Sequence, residues 1–305
     1  MRHLTSLLDV TVEEIGEILE LASSLKTAAV VGDRPPRLGG RVLTQIFEKP
    51  SLRTRASFDA AMAQLGGSSQ FFSADDAGLG GRESIEDVAR VISGYSDVLV
   101  LRTFSQATIE RFAELSSCPV VNALSDDRHP CQALTDLLTI RETFGELSGR
   151  RLVFVGDGNN VARSLAIACG RVGISMTLAA PGGYEFDEEF LGLLTEEVPG
   201  HDVTIESDPK AAVVDADVVY TDVWASMGQE AETAARQSVF HGYTVDPELM
   251  KRANSGALFM HDMPAHYGEE VPPGMLEHRQ SVAFPQAHNR LHAQKTILEF
   301  LLSGN

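Results

Sequence analysis

Cysteine is scarce. Cys118, Cys131 and Cys169 stand far apart in 305 residues, with no metal-type spacing. That pattern excludes a disulfide framework and a zinc knuckle and points to a reducing, cytoplasmic setting. Long apolar runs are missing too, and Met1-Arg2-His3-Leu4-Thr5 lacks the apolar core of a signal peptide, so neither a membrane nor export is expected. Basic residues are in deficit: 25 Lys and Arg against 43 Asp and Glu leave a net charge of −18. Such a chain has no basic face for nucleic acid. An anionic substrate must be drawn in by a local arginine cluster against the global field. Repeats and low-complexity tracts are absent. What is present is 43% hydrophobic and 22% charged residues, the composition of a soluble globular protein long enough for two domains with proper cores.

One stretch organises the rest: Glu48-Lys49-Pro50-Ser51-Leu52-Arg53-Thr54-Arg55-Ala56-Ser57-Phe58. Val42 to Phe47 before it reads as a short buried strand. Phe58, Ala61, Met62 and Leu65 after it recur at helical spacing, and Gly66-Gly67 ends the pattern. Ser51 is therefore expected to cap a helix that follows directly on a strand. Free backbone N–H groups and the positive end of the helix dipole point outward at such a junction. Two hydroxyls and two guanidiniums within five residues make it an anion site suited to phosphate, with Ser51, Arg53 and Thr54 as ligands. Arg55 is left open between ligand and buttress, the alternative for the whole run being a solvated first turn.

The chain before and after alternates strand and helix. Thr11-Val12-Glu13-Glu14 is a capping box that opens a helix with Ile15, Ile18, Leu19, Ala22 and Leu25 on one face. Strands are expected at Gln70 to Ser73, Val98 to Leu101 and Pro119 to Asn122, and a helix runs to about Phe144. The pattern restarts after Gly145 to Gly149, which sets a domain boundary. Strands follow at Arg151 to Val155, Met176 to Ala180, Val203 to Ile205, Val218 to Thr221 and Leu258 to His261, with a last helix over Asn289 to Leu302. The expected fold class is α/β, two doubly wound parallel-sheet domains with helices on both faces. Residues 1–145 form the first domain and 150–288 the second. Polar motifs stand just past strand ends in both halves, where open α/β sheets bind ligands.

Arg102 ends its strand, and His129 and Gln132 enter a helix, all placed to reach the Ser51–Thr54 site. Arginine and neutral histidine can both stabilise a carbonyl oxygen that becomes negative on attack. Gln132 offers an amide carbonyl to an NH2 group. The alternative for His129 is an ordinary first-turn residue near Asp126 and Asp127. Gly156-Asp157-Gly158-Asn159-Asn160 suggests a nucleotide loop, but Val161 occupies the third glycine position and no acid follows the next strand. Asn159 and Asn160 can instead bind a carboxylate. Asp222 can bind an ammonium, and Ser226 and Met227 fall on what reads as a closing loop; the alternative is a capped helix start with Trp224 as a core plug. His261-Asp262-Met263-Pro264-Ala265-His266 lacks the i, i+4 histidines of a zinc helix and Pro264 forbids one, so no metal is expected. Arg290, read as opening the last helix, is a second phosphate or carbonyl contact.

In this order and spacing the motifs resemble the aspartate/ornithine carbamoyltransferases, the ornithine branch in particular, over essentially the whole chain. Ser51-Leu52-Arg53-Thr54-Arg55 is similar to the family's Ser-Thr-Arg-Thr-Arg loop and His129-Pro130-Cys131-Gln132 to its His-Pro-x-Gln motif. Asp222 with Ser226-Met227-Gly228 is similar to its ornithine loop. The resemblance implies that Ser51, Leu52 (through its backbone), Arg53, Thr54, Arg102, His129, Gln132 and Arg290 bind carbamoyl phosphate. It implies Asn160, Asp222, Ser226, Met227, Asp262 and Met263 for the amino acid, and Thr54, Arg102, His129 and Asp262 at the reaction centre. It further implies that the C-terminal helix, 289–305, packs back on the first domain, that the protein is a homotrimer with sites at subunit interfaces, and that no cofactor is needed. The departures are specific. The family's His-Cys-Leu-Pro reads His261-Asp262-Met263-Pro264, Leu52 replaces a threonine, and Gly78 stands where a neighbouring subunit's glutamine or histidine is usual. His288 and Tyr267 replace a common glutamate and arginine.

The expected reaction is attack of a neutral side-chain amine on carbamoyl phosphate, catalysed by positioning and oxyanion stabilisation. Asp262 either accepts a proton or stabilises the ammonium; the sequence leaves both open. The acceptor is ornithine, or another diamine or diamino acid such as 2,3-diaminopropionate. A non-catalytic carbamoyl-phosphate-binding paralogue and a nicotinamide oxidoreductase built on Gly156–Asn160 are the competing classes.

Overall fold

A computed structural model of the chain describes residues 1–79, 81–225 and 230–303. It divides into two compact units, residues 1–138 with 289–305, and residues 139–288.

The first unit is built on β1 (Val42–Phe47), β2 (Ser68–Ser73), β3 (Val98–Arg102) and β4 (Val120–Leu124). All pair in parallel, in the order β2-β1-β3-β4. Between them run α2 (Leu52–Gln64), α3 (Ile85–Ser93) and α4 (Gln106–Leu115), preceded by α1 (Val12–Val30) and followed by α5 (Pro130–Phe144). A strand that must return in parallel needs a crossover, and α2, α3 and α4 supply the three. Ile46, Leu99, Leu101, Ile109, Phe112 and Val120 form a buried cluster. Each such side chain contributes roughly 1.5–3 kcal/mol by leaving water. The strand order reverses around β1, which has β2 on one side and β3 on the other. Phe47 and Arg102 are register partners at the carboxyl ends of β1 and β3. That reversal opens a crevice above the sheet, and the Ser51–Thr54 stretch begins four residues beyond Phe47.

The second unit repeats the plan with β5 (Arg151–Val155), β6 (Ser175–Ala179), β7 (Val203–Glu206), β8 (Val218–Thr221) and β9 (Leu258–His261), in the order β7-β6-β5-β8-β9. Its crossovers include α6 (Asn160–Val172), α7 (Glu188–Glu197), α8 (Pro209–Ala212), α9 (Thr233–Val239) and α10 (Pro247–Met250). Val155 pairs with Thr221, and Thr221 with His261, so three strands end side by side. Trp224 lies in the core of this unit, stacked on Phe240 at 5.7 Å.

The last helix, α11 (Ala283–Leu302), starts six residues earlier than the sequence pattern suggests. Pro285 falls in its first turn, where the missing N–H has no intrahelical partner to lose. Arg290 consequently sits two turns inside the helix instead of opening it. From Asn289 onward α11 belongs to the first unit. There Lys26 donates to Asn289 Oδ1 at 2.7 Å, and Arg37 pairs with Glu299. Among the described residues no helix is long and apolar enough to cross a membrane.

Candidate active site

Ser51 caps α2 as its sequence demands: extended at φ −157, it accepts the Thr54 N–H on its Oγ at 3.3 Å. Its hydroxyl donates to Thr54 Oγ1 at 2.9 Å, so both hydroxyls of the motif are drawn to one spot. Thr54 is buried; Arg53 is half-buried and Leu52 is exposed, which leaves Leu52 only its backbone to offer. Arg55 turns away. Its guanidinium lies 3.9 Å from the centroid of Phe71 and 3.8 Å from Asp59, the position of a buttress on the outer face of α2.

Arg290 of α11 joins the spot from the other side. Its Nη2 donates to Thr54 Oγ1 at 3.0 Å, its Nη1 donates to Gln132 Oε1, and the same nitrogen stands 3.5 Å from His129 Nε2. Arg102, His129, Gln132 and Arg290 are all buried. Burying two guanidiniums is costly unless acceptors surround them or an anion arrives. His129 feels this directly: burial, then Arg290, then Arg102 hold its pKa well below the ordinary imidazole value, so it is neutral. A neutral imidazole beside two fixed cations suits an oxygen that gains negative charge. Five of the residues singled out in the sequence, Ser51, Thr54, His129, Gln132 and Arg290, thus form one hydrogen-bonded or close-contact cluster.

Three neighbours in this unit escaped the sequence reading. Lys49, buried, pairs with Asp126 and lies 4.4 Å from the Phe104 ring centroid, tying together the loops after β1, β3 and β4. Glu48 accepts the Phe104 N–H at 2.7 Å. Both were visible in the opening motif, but only the fold reveals what they reach. Asp136, completely buried, accepts from Gln132 Nε2 at 2.8 Å. Its signal was an acid one helical turn past Gln132 on an otherwise apolar face. Gly78 adopts φ +77, a conformation in which a side chain is strained, and this matches a glycine where longer side chains are usual in the family resemblance.

In the second unit Asn159 reaches from the start of α6 to the end of β8. It caps α6, accepting from the Val161 and Ala162 N–H groups at 3.0 Å each, and donates to Asp222 Oδ2 at 2.9 Å. Asn160 is buried with its Oδ1 turned to the Val161 N–H at 3.1 Å. Gly158 is explained by packing: a Cβ there would lie 2.9 Å from the backbone of Glu185 and Phe186. Asp157 pairs with Arg236, yet burial outweighs that partner and pushes the carboxyl up.

Asp222, His261 and Asp262 bring donor atoms within 4.8 Å of one another at the adjacent ends of β8 and β9. His261 is fully buried; its Nδ1 accepts the Met263 N–H at 2.9 Å and its Nε2 faces Glu270 Oε1 at 3.2 Å. Nδ1 therefore carries no proton toward Asp262, from which it stands 3.7 Å away. Gln286 braces the strand end, accepting the His261 N–H at 3.0 Å and donating to Tyr220 Oη at 3.1 Å. Met263 adopts φ 57, a left-handed conformation that costs a non-glycine residue about 1–2 kcal/mol and turns the chain sharply after Asp262. Ser226 and Met227 lie outside the described residues.

Comparison with known proteins agrees over the full length. Residues 2–142 match the carbamoyl-P binding domain of aspartate/ornithine carbamoyltransferase, and residues 148–301 match its Asp/Orn binding domain. An ornithine carbamoyltransferase of Halorhodospira halophila is 48% identical over 304 residues, covering 100% of both chains. Among solved structures, ornithine carbamoyltransferase from Pyrococcus furiosus superposes with a TM-score of 0.95 at 45% identity, covering 100% of this chain and 98% of that one. The anabolic ornithine carbamoyltransferase of Campylobacter jejuni gives 0.93 at 35% identity, with both chains fully covered. With both family models matched in order and relatives nearly half identical end to end, the chain belongs to the aspartate/ornithine carbamoyltransferase family and is built as a carbamoyltransferase.

Proposed function

We propose that the protein transfers the carbamoyl group of carbamoyl phosphate to the side-chain amine of L-ornithine, giving L-citrulline and phosphate. The observation that carries this reading is the convergence of Arg290, Thr54, Gln132 and His129 on the capped start of α2. In this reading residues 1–145, with the C-terminal segment 289–305, hold carbamoyl phosphate, and 150–288 hold the amino acid. Ser51, Arg53, the Leu52 backbone and Arg290 take the phosphoryl oxygens. Thr54, Arg102 and neutral His129 take the carbonyl oxygen, and the Gln132 carbonyl takes the carbamoyl NH2. Asp222 receives an ammonium of the acceptor, with Asn160, Ser226, Met227 and Met263 around it.

The neutral amine nitrogen bonds to the carbonyl carbon. The carbonyl oxygen becomes an oxyanion among the cations; the carbon–oxygen bond to phosphate then breaks, and phosphate leaves with the amine's proton. No covalent enzyme intermediate arises, so catalysis is positioning and electrostatic preorganisation. An alkylamine has a pKa of about 10 in water, so the deprotonated acceptor is the scarce species at neutral pH. A carboxylate at Asp262 favours the ammonium and tightens binding at the expense of attack. The close approach of Asp222 and Asp262 therefore supports a second reading, an acceptor other than ornithine such as a shorter diamino acid. We place the enzyme in the cytoplasm as a homotrimer, on family grounds. Phosphate release from carbamoyl phosphate with a panel of amines tests the reaction and separates the two acceptors. Sedimentation that shows a fully active monomer overturns the trimer.

A further inference from the structure

We infer that Asp136 is the positioning residue that sets the amide of Gln132, and through it the preference for a carbamoyl group over an acyl group of the same shape. The inference rests on the carbamoyl-phosphate reading of the first unit.

A glutamine amide can present either its oxygen or its NH2 to a ligand, and the two ends differ little in size. Which one faces the ligand is decided by its neighbours. Gln132 is buried between two groups of opposite character on the same side of the fold. Its Nε2 donates to Asp136 Oδ1 at 2.8 Å, and its Oε1 accepts from Arg290 Nη1. A carboxylate accepts and does not donate, while a guanidinium donates and does not accept. Both therefore impose the same polarity, with the amide oxygen toward Arg290, Thr54 and His129.

The two orienting groups are not equivalent once substrate is bound. Arg290 also serves Thr54 and lies against His129, and an arriving anion competes for its donors. Asp136 sits one helical turn behind Gln132 on α5 with no exposed surface, so water does not compete for its bond to the amide. It is the anchor that keeps the amide oxygen available when Arg290 turns to the ligand. That oxygen, having two lone pairs, can accept from a substrate NH2 but has nothing to offer a methyl group. Discrimination between carbamoyl and acetyl compounds is then a property of Gln132 that depends on Asp136. Carbon-for-nitrogen replacement removes one hydrogen bond and leaves a buried carbonyl underused, worth about tenfold in affinity.

The test compares two stable ligands of equal shape by calorimetry: phosphonoacetamide, which keeps the amide NH2, and acetonylphosphonate, which carries a methyl group there. Wild type is expected to bind the amide about tenfold more tightly. Asp136→Leu should bring that ratio close to one with acetonylphosphonate affinity nearly unchanged. Asp136→Asn retains a carbonyl oxygen for Gln132 and should restore most of the preference. Gln132→Leu should abolish the preference, and adding Asp136→Leu to it should change the ratio no further, since the acid acts through the amide. Equal weakening of both ligands in Asp136→Leu, or a wild-type ratio kept in that variant, would overturn the inference while leaving the carbamoyl-phosphate site standing. A wild-type protein that binds neither ligand overturns both.

Discussion

Replacing Asp262 with asparagine isolates what a carboxylate does beside the acceptor amine. The side chain is 13% exposed, and its oxygen lies within 4.8 Å of donor atoms of Asp222 and His261. His261 offers it no proton, because its Nδ1 is engaged by the Met263 N–H. An ammonium set against Asp262, about 4 Å from the centre of negative charge, gains about 1 kcal/mol in water and about 4 at an effective dielectric of 20. At about 1.4 kcal/mol per unit, the bound amine's pKa rises by roughly one to three units. The sign follows: kcat, which reports the bound complex, climbs with pH as the amine loses its proton, and Asp262 moves that climb to higher pH. In Asp262→Asn the acid limb of kcat should shift down by about one unit or more, while KM for the amine rises as the ion pair is lost. The assay is the ureido product formed from carbamoyl phosphate and saturating ornithine between pH 6 and 10, on the order of five pH values. An acid limb that stays in place, with activity retained, refutes the placement of Asp262 at the reacting amine.

Other outcomes follow from the first unit. Arg53→Ala should lower kcat/KM for carbamoyl phosphate by about a hundredfold, the loss of a charge-assisted pair of phosphate contacts, and near-normal kinetics would remove Arg53 from the site. Ser51→Ala deletes the cap on α2 and should cost about 1 kcal/mol in denaturant unfolding, besides slowing turnover. His129, whose folded pKa is depressed, keeps out a proton that the unfolded chain accepts near 6.5. The unfolded state thus binds more protons below that value, so stability rises with pH up to about 6.5 and drops by about 1 kcal/mol between pH 6.5 and 5.5 through this group. The unfolding free energy of His129→Gln should lack that share of the slope, and an unchanged slope would count against a buried neutral imidazole.

Much of the α/β fold was legible because strands and helices alternate with different periods, and parallel strands buried on both faces need helices between them. The Ser51 cap was legible because a capping hydroxyl is a local matter. Element edges were less so: α11 begins at Ala283 because a proline in the first turn breaks nothing, whereas in the sequence Pro285 looks like a stop. The cluster around Thr54 joins residues 54, 129, 132 and 290, and only their family-like spacing announced that they meet. Asn159 and Asn160 show the limit most plainly. Both sit at a helix start, and that Asn159 caps α6 while also donating to Asp222 follows from backbone direction, not from residue type. Asp136 stood in the sequence one turn past Gln132, but an acid inside a helix reads as an exposed position, and only its complete burial ties it to the amide.

Carbamoyl transfer is tested most directly by incubating the purified protein with carbamoyl phosphate and L-ornithine and following phosphate and citrulline together. Both should appear in equal amounts, both should depend on the amine, and Arg290→Ala should abolish them. No amine-dependent phosphate release with ornithine or any other diamino acid would contradict it.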